Sequence, residues 1–192
     1  MSSTADKGRP AARRRYDAQA SRQALLEAAT ELFDARGYDA TTTREIGERA
    51  GTDPALIARY FGGKEGLYLA TVAEAAPPEP ATDPYALVER VLRKSETRGL
   101  GPIARATVSA TLTDAMREQV RDILAARTVR PLAATLQGAG DPELRAEVLV
   151  AMALGLSLAR AGGTLPRLRD AELDEVLDVL APAVGALCAE RG

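Results

Sequence analysis

Residues 41–61 read Thr41-Thr42-Thr43-Arg44-Glu45-Ile46-Gly47-Glu48-Arg49-Ala50-Gly51-Thr52-Asp53-Pro54-Ala55-Leu56-Ile57-Ala58-Arg59-Tyr60-Phe61, and the order of caps, breakers and apolar positions in this stretch decides the fold. Thr42 precedes Glu45 at the spacing of a capping box, in which each side chain satisfies an orphan backbone N–H at a helix start. A short helix over Thr43–Ala50 follows, and Gly51 breaks it. Asp53 and Pro54 then supply an N-cap residue and the residue best suited to a first helical position, which starts a second short helix over Pro54–Tyr60. Ile46, Ala50, Leu56 and Ile57 are apolar at spacings that turn them inward between the two helices. Two short helices across a Gly-containing turn make a helix-turn-helix, whose second helix can enter the major groove of DNA.

Working outward, Leu25, Ala29, Leu32 and Phe33 recur on one helical face upstream, and Gly37 stands where a C-terminal cap belongs. Residues 1–17 are small, polar and basic with Pro10, which reads as a flexible arm, and order is expected from Ala18. Lys7, Arg9, Arg13, Arg14, Arg15 and Arg22 concentrate positive charge there, while Asp170–Glu190 is acidic. Because the net charge of the whole chain is only −2, any nucleic-acid function has to come from such local clustering. Downstream, Pro77, Pro78, Pro80 and Pro84 mark a connection near residue 75, with Asp83 capping a new helix at Pro84. The expected domains are therefore an arm over 1–17, a DNA-binding domain over 18–75 and a helical domain over 76–192.

Composition agrees with an all-α chain. It is rich in Ala, Leu, Arg and Glu, residues that lose little rotamer freedom in a helix. The chain has no histidine, which removes the commonest general base, metal ligand and pH switch together. No nucleophile motif or Gly-rich phosphate loop stands in its place, so catalysis, cofactors and a metal are not expected. The single cysteine, Cys188, near the end of an apolar helix, reads as a small core residue. The longest apolar stretch, Val148–Ala159, falls short of the ~20 residues needed to span a bilayer, and the N-terminus lacks an apolar signal core. A cytoplasmic protein is expected.

The run Thr41–Gly51, then Pro54-Ala55-Leu56-Ile57, Arg59-Tyr60-Phe61 and Lys64-Glu65-Gly66-Leu67, with Phe33, Gly37 and Tyr38 before it, closely resembles the DNA-binding domain of the tetracycline-repressor (TetR) family of bacterial regulators. The resemblance covers about residues 20–70. It implies a three-helix DNA-binding domain followed by a larger helical domain for dimerisation and effector binding.

Residue by residue, the resemblance places Arg44 where some relatives reach a base; a guanidinium can grip guanine O6 and N7. Contact with base or phosphate competes there with a solvated charge paired to Glu45 or Glu48. Ala55 and Arg59 should face the groove, Ala55 small enough to meet a thymine methyl. Tyr60 and Lys64 match phosphate-contacting positions. Thr42 and Thr43 can donate to phosphate at the positive end of the helix, or Thr42 can cap alone. Gly47 stands where the family usually has alanine, and its small size permits close approach of the two short helices. Ala58 replaces a phosphate-contacting aromatic, Thr52 a common valine and Gly63 the usual serine cap before Lys64. The arginines of the arm can follow the backbone or enter a minor groove, or remain a solvated tail.

In the second domain, helices are expected over Tyr85–Thr97, Pro102–Leu112, Asp114–Leu136 with a disturbance at Pro131, and from Asp141 onward. Val148, Ala151, Gly155 and Leu158 belong to a helix apolar nearly all round, expected to be deeply buried. Leu173, Val176, Leu177, Leu180, Val184 and Leu187 form a stripe on the last helix. By the resemblance, these two helices build the four-helix interface of a homodimer, which fits recognition of two half-sites on a pseudo-palindromic double-stranded operator. Only Tyr85 of the seven aromatic residues lies in this domain, so an effector pocket should be aliphatic, with Tyr85, Arg105, Ser109 and Met116 as candidate contacts beside Thr107 and Thr111. The competing reading leaves Thr107, Ser109 and Thr111 on the helix surface. A flexible aliphatic or lipid-like effector and release of a repressor from its operator are the expected mechanism. The sign of regulation is open, as are an enzyme or carrier and a non-specific architectural DNA binder.

Overall fold

The computed structural model describes residues 9–75, 83–109, 111–136 and 140–189, with side chains from Tyr16 onward. Every regular element among them is helical. The chain divides into two compact units, 1–71 and 72–192.

The first unit contains α1 (Arg9–Arg36), α2 (Thr43–Ala50), α3 (Ala55–Phe61) and most of α4 (Lys64–Ala75). Helix α1 begins well before the expected Ala18, so residues 9–17 of the anticipated arm are helical. Arg and Ala are strong helix formers, and Pro10 sits in the first turn, where its missing N–H costs no intrahelical bond. Residues 1–8, including Lys7, lie outside the described residues. Leu25, Ala29, Phe33, Ile46, Ile57, Leu67 and Tyr68 fill the interior of this unit. Phe33, Tyr38 and Tyr68 meet in tilted and edge-to-face contacts with ring centroids 5.1–6.0 Å apart.

Gly51 closes α2 in the left-handed conformation (φ 62°) that lets the chain reverse, its N–H bonding Glu48 O, and Thr52 N–H bonds Gly47 O. A Cβ added at Gly47 would fall 2.4 Å from Pro54 Cγ. The glycine therefore sets how closely α2 and the head of α3 approach. Gly66 acts in the same way at the start of α4, where a Cβ would overlap Phe61 O at 1.8 Å.

The second unit contains α5 (Pro84–Arg98), α6 (Pro102–Val108), α7 (Asp114–Leu124), a π-helical turn (Ala125–Val129), α8 (Arg130–Thr135), α9 (Pro142–Gly162), α10 (Pro166–Asp170) and α11 (Leu173–Cys188). Asp83 Oδ1 accepts from Tyr85 N–H and Asp141 Oδ1 from Leu144 N–H, so both Asx-Pro signals start helices as expected. Helix α6 ends at Val108, short of Leu112. The disturbance expected at Pro131 lies one turn earlier. Pro131 offers no N–H, so the turn before it cannot close in the ordinary register and widens into the π turn.

Leu87, Val88 and Leu92 of α5 pack against Leu149 and Ala153 of α9, with Leu132 of α8 and Leu173, Leu177 and Val184 of α11 completing the core. Arg145 Nη1 donates to Leu187 O and Ala189 O, satisfying carbonyls at the end of α11. Arg160 donates to Leu168 O and Ala171 O and pairs with Glu96, tying α9 to the α10 region and to α5.

Two expectations about the last helices need correcting. Helix α9 is not buried all round: Leu144, Val148, Ala151 and Gly155 are exposed along one face and Leu158 is half-buried. Val176, Leu177 and Val184 of α11 are 8%, 3% and 2% exposed and face the chain's own core, with Leu180 packed beside them. They are not a free surface. The apolar side chains that α11 presents outward are Val179, Pro182, Ala183 and Ala186. A stripe at helical spacing satisfies an intrachain core as well as a dimer seam, and the core took it because α5 and α9 lie against that side.

Three substitutions test this packing. Gly47→Ala should cost about 1–3 kcal/mol through the forced shift of Pro54, read as a lowered denaturation midpoint; an unchanged midpoint would show that the approach is loose. Leu149→Ala should cost about 2–5 kcal/mol, whereas Leu144→Ala on the exposed face should change stability by less than about 0.5 kcal/mol.

Candidate nucleic-acid interface

The start of α2 is held by a closed set of bonds. Glu45 N–H donates to Thr42 Oγ1 (3.2 Å) while Thr42 N–H donates to Glu45 Oε2 (2.8 Å), completing the capping box. The Thr42 backbone and hydroxyl bonds hold the Glu45 carboxyl below the usual carboxylate range. Arg36 at the end of α1 pairs with the other oxygen of that carboxylate at 2.9 Å. Arg49 clasps Glu31 through Nε and Nη2 at 3.0 and 2.6 Å, so both ends of α2 are fastened to α1. Asp53 Oδ1 accepts from Ala55 N–H at 2.8 Å and caps α3. Sequence spacing disclosed the local caps. The two pairs to α1, nine and eighteen residues apart, carry no periodic signal.

Outward from this frame, Thr42, Arg44, Ala55 and Arg59 are exposed, and Thr43, Tyr60 and Lys64 are half-buried. Arg44 projects with a side chain 85% exposed and bonds Glu48 Oε1 at 2.8 Å, one helical turn away. That exposed pair is weak and leaves the guanidinium free to exchange partners. The Arg59 guanidinium lies 5.9 Å from the Tyr60 ring centroid. On the other side of α3, Arg22 of α1 lies over the Phe61 ring at 4.9 Å. Lys64 Nζ stands 4.1 Å over the Tyr38 ring, and burial pushes its ammonium down against the pull of Asp39 and Glu45. Burial, then Glu65 and Asp39, push the Tyr38 phenol up. The stacked Tyr38 orients Lys64, a role that sequence reasoning missed.

Gly62 and Gly63 both adopt positive φ (76° and 121°) between α3 and α4. A serine cap at 63 would be strained in that backbone, which accounts for the glycine there.

The effector candidates are scattered. Tyr85 packs against the core, Met116 is 2% exposed, Arg105 Nε donates to Leu100 O, and Ser109 Oγ meets Thr111 Oγ1 while Ser109 O accepts from Arg117. None of these four lines the cavity that the second unit contains. That cavity, about 310 Å3, is walled by Leu87, Val91, Ile103, Leu124, Val150 and Leu154, with Thr128 and Ser157 as buried polar members and Glu74, Arg90, Lys94 and Ser95 also lining it. Its size is at the lower end of small-molecule sites. Its polar members were missed because they come from three separate helices and the π turn. The aliphatic lining was legible from the shortage of aromatics.

Cys188 is half-buried, and burial, then Asp83, push its thiol up, the opposite of what a reactive thiolate needs. Among the described residues no group of acidic and cysteine side chains could hold a metal ion, and no helix is long and apolar enough to cross a membrane.

Comparison with known proteins agrees with this geometry. Residues 25–71 match the model for bacterial regulatory proteins of the tetR family, and residues 84–187 match that for tetracyclin repressor-like C-terminal domains. The HTH-type transcriptional regulator BetI of Rhizobium meliloti is 32% identical over 162 residues, covering 76% of this chain and 80% of its own. The HTH-type transcriptional repressor AcnR of Corynebacterium glutamicum is 41% identical over 56 residues, 29% of this chain and 30% of its own. A TetR-family regulator from Streptomyces coelicolor A3 superposes with a TM-score of 0.52 at 27% identity, covering 88% of this chain and 95% of that one. With both domain models matched in order and the helix-turn-helix capped as its residues require, the chain belongs to the TetR family of helix-turn-helix transcriptional regulators.

Proposed function

We propose that the chain is a cytoplasmic repressor that binds a pseudo-palindromic double-stranded operator as a homodimer and is released by a small aliphatic effector held in the cavity of its second unit. The observation that carries the DNA reading is the exposed pair Ala55 and Arg59 on a helix, α3, whose start is capped and whose approach to α2 is set by Gly47. Ala55 and Arg59 read base edges; Thr42, Thr43, Tyr60 and Lys64 position the backbone; Arg44 exchanges Glu48 for a base or phosphate. The name of the AcnR relative, a repressor, supports the sign of regulation.

The exposed faces of α9 and α11 support self-association. Val148, Ala151 and Gly155 on the first and Val179 on the second, the last 83% exposed, leave apolar surface that a symmetry mate would cover. Effector release follows if the ligand binds one spacing of the two recognition helices better than the other.

Fluorescence anisotropy at fixed salt, on the chain's own upstream DNA and on a scrambled duplex, tests the DNA reading. Arg59→Ala should weaken specific binding by about 5- to 150-fold and relax discrimination, as for loss of a base contact of about 1–3 kcal/mol. Lys64→Ala should weaken both duplexes alike and lower the salt slope. Equal affinity of the wild-type chain for all duplexes, including those selected from random DNA, would instead favour an architectural binder. In sedimentation, Val148→Glu combined with Val179→Glu should convert dimer to monomer; an undisturbed dimer would place the interface elsewhere.

A further inference from the structure

Thr128 is 7% exposed, lines the cavity, and its Oγ1 is buried without a hydrogen-bond partner. Other hydroxyls within helices of this unit bond back to a carbonyl three or four residues earlier: Ser95 to Leu92 O, Thr107 to Ala104 O, Thr135 to Leu132 O and Ser157 to Ala153 O. Thr128 differs by its place in the π turn that Pro131 imposes. A buried donor left unmade is costly, and π turns recur at functional sites. The hydroxyl is therefore open to a hydrogen bond from a group that enters the cavity.

The charged lining adds a second constraint. Arg90 and Lys94 are both exposed, lie one helical turn apart on α5, and form no ion pair among the described residues, whereas Arg93 between them is taken by Glu89 and Asp174. Glu74 is the one acid among the described lining residues, so the charged rim carries one net positive charge. Between the rim and the buried hydroxyl the wall is aliphatic. At about 310 Å3 the cavity stands at the lower end of small-molecule sites, which limits the ligand to a chain of medium length.

We propose that the cavity binds a medium-chain aliphatic carboxylate carrying a second oxygen function on its chain, a hydroxy or oxo acid, with Arg90 and Lys94 taking the carboxylate and Thr128 Oγ1 bonding the chain oxygen. The inference rests on the effector reading of this cavity. It names a chemical class and an anchoring residue that the reading by itself leaves open. No covalent bond is made or broken; recognition is by charge, apolar burial and one buried hydrogen bond.

The test is calorimetric titration of the full chain with 8-hydroxyoctanoate and 6-hydroxyhexanoate, each beside its unsubstituted parent acid, and with octylamine. At least one hydroxy acid should bind about tenfold more tightly than its parent, the effect of one well-placed buried hydrogen bond. Thr128→Val should abolish that preference while melting no lower than the wild-type chain, because it removes an unsatisfied hydroxyl. Arg90→Gln with Lys94→Gln should weaken every acid, and octylamine should not compete. No preference for either hydroxy acid, a preference that survives Thr128→Val, or binding of the amine in place of the acids would overturn the proposal. Operator anisotropy on the same samples separates the two readings: binding as expected with the operator still held defeats effector release and leaves the site standing. Release of the operator by a ligand indifferent to Thr128 defeats the site assignment and leaves release standing.

Discussion

Helices of eight and seven residues cannot hold themselves in water, because nucleation costs more than so few backbone bonds return. Everything the first unit does depends on meeting that deficit from outside. Thr42 with Glu45 and Asp53 with Ala55 N–H satisfy the orphan donors at both helix starts, and Ile46 and Ile57 are buried against α1. The Arg36–Glu45 and Arg49–Glu31 pairs add exposed, individually weak fastenings at the two ends of α2. Gly47 then sets the distance between the short helices by having no side chain to put between itself and Pro54. Fixed this way, α3 presents Ala55 and Arg59 outward at little further ordering cost.

In the second unit, one proline sets the corresponding constraint. Pro131 lacks the N–H that an ordinary α-turn needs, and the widened turn before it carries Thr128 on the wall of the cavity with its hydroxyl unpartnered. Around it, α5 and α9 form an aliphatic wall continuous with the core, since Leu87, Val150 and Ala153 belong to both. A group bound in the cavity therefore touches the residues that hold the unit together.

Much of the first unit was legible in the sequence because its signals are local. Caps, breakers and inward-facing positions are read over three to five residues, and the expected helix limits at Thr43–Ala50 agree with the structure. The second unit was legible at the level of helix starts, where Asp83-Pro84 and Asp141-Pro142 stand, and of an aliphatic pocket. It was less legible in orientation. Leu173, Val176, Leu177 and Val184 have the period of a buried face, but the same period serves a chain's own core or its partner's.

By itself the sequence determined that the chain is helical, where its short helices begin and turn, and that a TetR-like DNA-binding domain precedes a second helical domain. These follow from propensity, capping and periodicity, which act within a few residues. Only the tertiary structure decided which faces of α9 and α11 stay exposed, which lysine stacks on which tyrosine, and that Thr128 rather than Ser109 or Arg105 lines a cavity. Those outcomes come from packing between residues far apart in the chain, and no periodicity along one helix records what lies against its other side.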